Sequence, residues 1–248
     1  MTIIETEDYS AMSLKAASII FAHVVLKPSC VLGLATGSTP IGTYENLIRW
    51  NKDGQLSFAD VRTVNLDEYC GLAPDHDQSY RYFMQSKLFD HVDIKPENTF
   101  VPNGLAPDMA EECRRYDGVI QSMGGIDLQL LGLGHNGHIA FNEPDEVFPK
   151  GTHQTQLTES TINANTRFFA DSTQVPRQAL TMGIMSIMRA KSILVLVSGA
   201  EKAEIVSRAF LGDVTPRVPA SALQLHPNVT IIGDKAALSI LKKEGGCK

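Results

Sequence analysis

Residues 131–144 hold the densest set of side chains that could move protons. The segment reads Leu-Gly-Leu-Gly-His-Asn-Gly-His-Ile-Ala-Phe-Asn-Glu-Pro and continues the apolar run 126–131. His135 and His138 can gain and lose a proton near neutral pH, and Glu143 could orient an imidazole and hold its charge. A histidine can instead cap a helix or pack at a sheet edge. The glycine-flanked cluster favours acid–base chemistry, since glycine lets the backbone approach a ligand closely.

A metal site is the second chemistry that this segment could support. His135, His138 and Glu143 could all be ligands, and zinc sites use three or four such groups. The spacing H-x-x-H with a glutamate five residues later matches no zinc motif. We therefore expect proton transfer without a metal.

Two adjacent carboxylates, Asp67 and Glu68, follow the apolar run 61–66 in the segment Asn-Leu-Asp-Glu-Tyr. A carboxylate held beside a sugar carbon could abstract a proton α to a carbonyl group. An exposed acidic turn explains the same pair, because acidic residues mostly lie at the surface. Taken alone, the pair leaves both interpretations open.

A third group of residues could bind an anion such as phosphate. The turn 36–40, Thr-Gly-Ser-Thr-Pro, lies between a predicted strand and a predicted helix. Hydroxyl and backbone N–H groups at a helix N-terminus bind phosphate well, although the same residue types also serve as caps. Arg167 and Lys202 could add positive charge, but either one viewed singly could be a solvated surface cation.

The elements that must position these clusters indicate an α/β fold. Strands are predicted over 31–35, 61–66, 126–133, 193–197 and 229–232, and helices over 9–26, 41–50, 80–89, 108–123 and 176–190 and from about 201 and 236. Apolar strands without alternation that are separated by helices predict an open, mostly parallel, Rossmann-like sheet with helices on both faces. We expect a single domain over 1–248. Ligands bind beyond the carboxyl ends of such strands, where the clusters 36–40, 65–69, 134–143 and 198–202 all fall.

Composition excludes several classes of protein. The 248 residues carry a net charge of -6, so nothing indicates a nucleic-acid partner. The widely spaced Cys30, Cys70, Cys113 and Cys247 form no zinc-like pattern and favour free thiols in a reducing cytosol. No secretory signal is visible, and we expect no apolar stretch long enough to cross a bilayer. The prediction is a cytoplasmic protein without nucleic-acid or membrane partners.

Taken together, the clusters resemble the glucosamine-6-phosphate deaminase family, also called glucosamine-6-phosphate isomerases. The resemblance covers nearly the whole chain, with its motifs at 32–40, 65–69, 134–144, 165–169 and 223–227. It implies an enzyme that converts glucosamine 6-phosphate and water to fructose 6-phosphate and ammonia. It also implies that no metal or organic cofactor takes part.

The resemblance further implies roles for single residues. His138 would open the sugar ring, Glu143 would orient and charge His138, and Asp67 would remove the proton from C2. Asn136 stands where some relatives carry aspartate; because asparagine cannot titrate, we expect it to position His138. The implied phosphate contacts are Thr36, Gly37, Ser38, Thr39, Arg167 and Lys202.

Regulation is expected to differ from that of the allosteric hexameric relatives. Those relatives bind N-acetylglucosamine 6-phosphate through basic residues after the Asn-Glu-Pro motif. This chain has His153 and Thr155 where arginine and lysine would stand. Our hypothesis is an enzyme that the acetylated sugar does not activate and that is a monomer. The polar stretch 152–176 is predicted to be a mobile lid over the substrate.

Two alternatives remain. A 6-phosphogluconolactonase-like hydrolase would share the broad fold but should lack the continuation Phe141-Asn142-Glu143-Pro144. A sugar-phosphate sensor would need a helix-turn-helix or a basic extension for DNA, and the sequence shows neither. A sensor would also have no use for both Asp67 and the pair His138 and Glu143. Fold analogy by itself is weak support for any of these functions.

Overall fold

The chain folds around a parallel β-sheet. The structure, a computed structural model, describes residues 1–169 and 174–244. The strands found there are β1 (Thr2–Thr6), β2 (Val31–Leu34), β3 (Arg62–Asn65), β4 (Asp67–Tyr69), β5 (Thr99–Phe100), β6 (Leu128–Gly132), β7 (His153–Gln156), β8 (Gln178–Thr181), β9 (Ser192–Val197) and β10 (Val229–Asp234). The α-helices are α1 (Tyr9–Leu26), α2 (Ile41–Lys52), α3 (Tyr80–Lys87), α4 (Met109–Ser122), α5 (Glu159–Asn165), α6 (Ile184–Met188), α7 (Ala203–Leu211) and α8 (Ser239–Glu244).

The main sheet of the described residues has the strand order β1-β10-β9-β6-β2-β3-β5, and every neighbouring pair is parallel. All four residues of β2 and five of the six residues of β9 are buried, as expected for strands covered on both faces. The predicted open, mostly parallel sheet flanked by helices is therefore confirmed. Strand β2 pairs with β3 on one side and with β6 on the other. The chain segments that follow β2 and β6 therefore leave the sheet in different directions, which opens a crevice at the carboxyl end of β2. Ligands bind at such points.

A second, antiparallel sheet of order β4-β8-β7 lies beside the first. Asp67 and Glu68 follow a strand, as predicted, but the alternative of an exposed acidic turn is wrong, because the chain leaves β3 at Asn65 and starts β4 at Asp67, and both carboxylates are buried. Asp67 pairs with Thr181, and Glu68 pairs with Leu180. Successive strand residues point to opposite faces, so the two adjacent carboxylates are directed to opposite sides of this small sheet.

The predicted helix over 176–190 was wrong. The chain forms β8 (Gln178–Thr181) there, and the short α6 begins at Ile184 after Gly183. Ala179, Leu180 and Thr181 are all buried, so this strand shows no polar alternation. A short apolar run of this kind cannot be distinguished from a buried helix by its pattern alone. Pairing with β4 and β7 decides the outcome.

The expectation that no apolar stretch could span a bilayer was wrong as far as length and composition go. Helix α1 has 18 residues and a mean hydropathy of 1.5. Its residues Met12, Ala16 and Ile20, spaced four apart, are fully buried in the core. The helix packs on α2 and on strands β9 and β10. Core packing therefore accounts for the apolar face of α1.

Two further expectations fall partly outside the described residues. The predicted lid over 152–176 contains β7, α5 and a short 3-10 turn over Thr166–Phe168, while 170–173 are not described. Its mobility stays a prediction. Cys30, Cys70 and Cys113 are free thiols, as expected, and Cys247 lies outside the described residues.

Candidate active site

A cavity opens where the carboxyl ends of β2, β3 and β6 meet. Its lining comes from the turn after β2, the start of β4, the start of α3, the glycine-rich loop after β6, helix α5 with the turn that follows it, and the segment after β9. Eight sequence-predicted residues line it: Thr36, Gly37, Ser38, Thr39, Asp67, His138, Arg167 and Lys202. Asn136 and Glu143 lie behind His138 and contact it. The structure thus brings all ten candidate residues into one place.

Asn136, His138 and Glu143 form a connected group that we call the His138 cluster. Glu143 Oε2 accepts a hydrogen bond from Asn136 Nδ2 at 2.7 Å and lies 3.4 Å from His138 Nδ1. Burial alone would raise the pKa of Glu143, but hydrogen bonds from His138, Thr161 and Asn136 outweigh burial and lower the pKa to about 2. Glu143 is therefore ionised at neutral pH. It supplies a fixed negative charge beside the imidazole, and this favours a proton on Nδ1.

The glycines of the loop after β6 determine where His138 lies. A Cβ atom at Gly134 would overlap the His138 ring, and Gly137 has a φ of 89°, which favours glycine. The Gly134 N–H donates to the His138 carbonyl at 3.0 Å. The His138 N–H donates to Asn136 Oδ1 at 3.1 Å. Asn136 therefore holds both the backbone of His138 and the carboxylate of Glu143.

Asp67 and Glu68 have different environments. Asp67 is 6% exposed and lines the cavity. Burial raises the pKa of Asp67 well above its usual range, and the neighbouring Glu68 adds to the rise. Glu68 accepts the backbone N–H groups of Tyr69, Tyr80 and Arg81 at 2.8 to 2.9 Å, two of them at the start of α3. Glu68 therefore anchors a helix, and Asp67 faces the cavity.

Cationic and hydroxyl groups occupy another part of the same cavity. Arg167 Nη2 donates to Ser38 Oγ at 3.2 Å, and Lys202 Nζ donates to the Leu133 carbonyl at 2.7 Å. Burial, opposed by Glu201 and helped by the nearby Arg167, lowers the pKa of Lys202 to about 8. A bound phosphate would favour the protonated lysine. The interpretation of Lys202 as an ordinary surface cation therefore does not hold.

Sequence reasoning missed two residues of this cavity. The Tyr80 ring stacks on Phe141 with a centroid separation of 5.9 Å and an interplanar angle of 17°. The Thr161 hydroxyl donates to Glu143 Oε1 at 2.5 Å. Each is a single residue at the start of a helix, and no local pattern distinguishes it from its neighbours. Only the three-dimensional structure brings them to the cavity.

Two other histidines that the sequence analysis singled out, His135 and the histidine of the 223–227 motif, do not belong to the His138 cluster. His135 lines the cavity, but no set of three His, Cys, Asp or Glu residues within 1–169 and 174–244 is grouped to hold a metal ion. His226, from the motif at 223–227, is buried elsewhere, and its Nε2 lies 2.8 Å from the Ala190 carbonyl. It supports the fold.

Comparisons with known proteins show which family the chain resembles. The family model of glucosamine-6-phosphate isomerases/6-phosphogluconolactonase matches residues 7–232. A glucosamine-6-phosphate deaminase of Lachnoclostridium phytofermentans is 59% identical over 232 residues, which are 94% of this chain and 98% of the relative. A solved monomeric glucosamine-6-phosphate deaminase is 48% identical with a TM-score of 0.95, over 97% of this chain and 100% of its own. The 6-phosphogluconolactonase of Leishmania guyanensis is 22% identical with a TM-score of 0.75, over 100% and 99% of the two chains. The last likeness shows the shared fold alone.

Proposed function

Because the chain belongs to the family of glucosamine-6-phosphate isomerases and 6-phosphogluconolactonases, we propose that it is a glucosamine-6-phosphate deaminase. The proposed reaction converts glucosamine 6-phosphate and water to fructose 6-phosphate and ammonia. The observation that supports it most strongly is the lining of one cavity. Asp67 and His138 share that cavity with Ser38, Arg167 and Lys202, so a proton acceptor, a proton carrier and an anion site coincide.

The first proposed step is opening of the pyranose ring at His138. The imidazole takes the proton of the anomeric hydroxyl and returns a proton to the ring oxygen, which leaves an aldehyde at C1. A group that both accepts and donates near neutral pH suits this step. Glu143 stabilises the imidazolium that forms in between, since its carboxylate lies 3.4 Å from Nδ1.

The second proposed step is removal of the C2 proton by Asp67. The electron pair left on C2 forms a C1=C2 double bond while the aldehyde oxygen takes up a proton and the ammonium group gives one up, which yields an enolamine. Return of a proton to C1 then gives a protonated imine at C2. Water adds to that carbon, and ammonia leaves to form the ketose. Burial makes the Asp67 carboxylate a stronger base, and the ammonium group at C2 of the substrate favours its ionised form. These steps transfer protons, add water and release ammonia, so they require no external oxidant or reductant.

In this proposal the phosphate group of the substrate supplies the binding energy that positions the sugar. Binding energy from the 36–39 turn, Arg167 and Lys202 is remote from C1 and C2, so it can hold the reacting carbons beside Asp67 and His138. The proposed contacts are backbone and hydroxyl groups of the turn together with two cationic side chains. The requirement for a phosphorylated sugar follows from this arrangement.

An assay of both products tests the proposal. The purified protein with glucosamine 6-phosphate should release ammonia and fructose 6-phosphate in equal amounts. The same preparation should not accelerate hydrolysis of 6-phosphogluconolactone, which the lactonase alternative requires. Lactone hydrolysis without ammonia release would replace the proposal by that alternative.

An Asn136→Asp variant is expected to gain an ionisation in its pH–rate profile. Aspartate at this position would lie within hydrogen-bond distance of the Glu143 carboxylate, where asparagine now donates at 2.7 Å. Two carboxylates this close cannot both ionise easily, so one pKa rises. The acidic limb of kcat should therefore move to higher pH. An unchanged number of ionisations would contradict the proposed purely positioning role of Asn136.

We further propose that the enzyme is a monomer that N-acetylglucosamine 6-phosphate does not activate. His153 and Thr155 provide no arginine or lysine for a second phosphate, and the solved relative at 48% identity is described as monomeric. Substrate saturation should be hyperbolic with or without the acetylated sugar, and the mass in solution should be near 27.1 kDa. Sigmoidal kinetics that the acetylated sugar abolishes would contradict both parts.

The lid and the location of the enzyme complete the proposal. The predicted lid over 152–176 contributes Thr161, which lines the cavity, and Arg167, so its movement would open and close the substrate site. A cytoplasmic location is supported by the free thiols of Cys30, Cys70 and Cys113.

A further inference from the structure

We propose that the hydroxyl group of Thr161 is a positioning group for the His138 cluster, an inference that rests on the deaminase function proposed above. In this role Thr161 touches neither the sugar nor the reacting carbons. It keeps the Glu143 carboxylate ionised and aimed at His138. The residue belongs to α5, an element distant in sequence from both Glu143 and His138.

The contacts of the Glu143 carboxylate support this role. Its two oxygens have separate partners: Oε2 faces Asn136 and His138, and Oε1 accepts the Thr161 hydroxyl at 2.5 Å. Among the residues that the structure describes, the other donor to Oε1 is the Thr158 N–H at 3.4 Å, which is long for a hydrogen bond. Without the Thr161 hydroxyl, one oxygen of a buried carboxylate would lose its short donor. Such a loss disfavours the charged form.

The Thr161 hydroxyl also lies close to the His138 imidazole and helps to orient it. Its Oγ1 lies 3.4 Å from His138 Nδ1, the same distance that separates Nδ1 from Glu143 Oε2. Nδ1 is thus enclosed by the carboxylate and the hydroxyl, which leaves Nε2 as the nitrogen that can exchange protons with a ligand. Thr161 itself is 3% exposed. A fixed hydroxyl at this point holds one orientation of both the carboxylate and the ring.

Helix α5 is anchored so that the hydroxyl stays in place. Thr158 caps the helix, and its Oγ1 accepts the Thr161 N–H at 3.3 Å. The turn after α5 carries Arg167, which contacts Ser38. The same segment therefore supplies a phosphate contact and the donor that holds Glu143. The other ionisable groups that line the cavity are Asp67 on β4, Tyr80 on α3, His135 on the loop after β6, and Lys202 ahead of α7.

Thr161→Val removes the hydroxyl and keeps the branched shape, so it is the most direct test. Hydrogen bonds to charged groups suggest a fall in kcat of about 10-fold or more, with KM for glucosamine 6-phosphate within about threefold of the parent because the proposed phosphate contacts remain. The pKa of Glu143 should rise from about 2 toward its ordinary value of 4.5. The ionised fraction then falls as the pH falls through the new pKa, so the variant should lose additional activity on the acidic side.

Two further variants separate positioning from general stability. Thr161→Ser retains the donor and should restore kcat to within about threefold of the parent. Thr166→Val makes the same change in the same segment, but the Thr166 hydroxyl donates to the Ile162 carbonyl at 3.0 Å. Its kcat and pH profile should match the parent. The thermal unfolding midpoint of each variant shows whether it folds. If Thr161→Val does not fold, Thr161→Ala is a second variant without the hydroxyl group.

A double variant tests whether Thr161 acts through Glu143. In a Glu143→Gln background, Thr161→Val should change kcat by less than about twofold, because residues that act as one unit are not additive. An unchanged kcat in Thr161→Val, a rise in KM alone, no restoration by serine, or a full additional loss in the double variant would each overturn the inference. An inactive parent protein would instead refute the proposed deaminase function.

Discussion

Replacement of Asp67 by asparagine is expected to lower kcat for ammonia release by about 10³-fold, within the range for loss of a general base. Asparagine keeps the size of the side chain but cannot accept the C2 proton. Asp67 is buried in the lining of the cavity, where its neighbour Glu68 is already occupied by three backbone N–H groups and cannot replace it. Steady-state assays with glucosamine 6-phosphate give kcat and KM for parent and variant.

The expected loss is specific to the chemical step. KM of Asp67→Asn should stay within about fivefold of the parent value, since the proposed phosphate contacts lie on other elements and remain intact. Asp108→Asn is a matched control, because Asp108 caps α4 by accepting the Glu111 N–H and asparagine caps helices equally well. A variant at position 67 that kept a tenth of the parent kcat would contradict the assignment of Asp67 as the base.

Replacement of His138 by glutamine is expected to lower kcat by about 10²-fold, with a remaining rate limited by spontaneous ring opening. The open-chain sugar forms slowly in solution, and Asp67 would still enolise it. Free imidazole catalyses ring opening, so adding it to the assay should raise the rate of His138→Gln in proportion to its concentration. Imidazole should not raise the rate of Asp67→Asn, because that variant lacks the base for the later removal of the C2 proton.

The comparison of these two variants separates their roles. His153→Gln is the matched control, because His153 lies on β7 with its Nδ1 3.0 Å from the Gly151 carbonyl and does not line the cavity. Its activity should match that of the parent. A remaining rate in His138→Gln that does not respond to imidazole would show that His138 has a function other than ring opening.

The sequence predicted the parts of this site that follow strands of the main sheet. Apolar runs such as 31–35 and 193–197 could be recognised as buried strands, and polar clusters after them had to meet at one edge of a parallel sheet. Nine of the ten candidate residues come together for that reason, and Arg167 reaches the cavity from the turn after α5. The alternation that directs Asp67 and Glu68 to opposite faces was not predicted, because the sequence did not indicate that a second strand, β4, begins at Asp67.

The parts that could not be predicted depend on contacts between distant segments. Thr161 reaches Glu143 only because α5 returns over the loop after β6, and nothing in the sequence around 161 shows that return. The strand β8 was mistaken for a helix, since its Gln, Ala and Leu residues favour helices and its burial leaves no alternation. Its pairing with β4, which supports Asp67, is a long-range property.

The central claim is that one cavity binds the phosphate of an amino sugar while Asp67 and His138 reach its C2 and its ring oxygen. The most direct measurement is a crystal structure of Asp67→Asn, which should turn over slowly enough to trap glucosamine 6-phosphate. The account predicts the phosphate between the 36–39 turn, Arg167 and Lys202. It predicts C2 within about 3.5 Å of the side chain at 67, and the ring oxygen or the anomeric hydroxyl at His138 Nε2. A sugar phosphate bound elsewhere, or with C2 directed away from position 67, would contradict it.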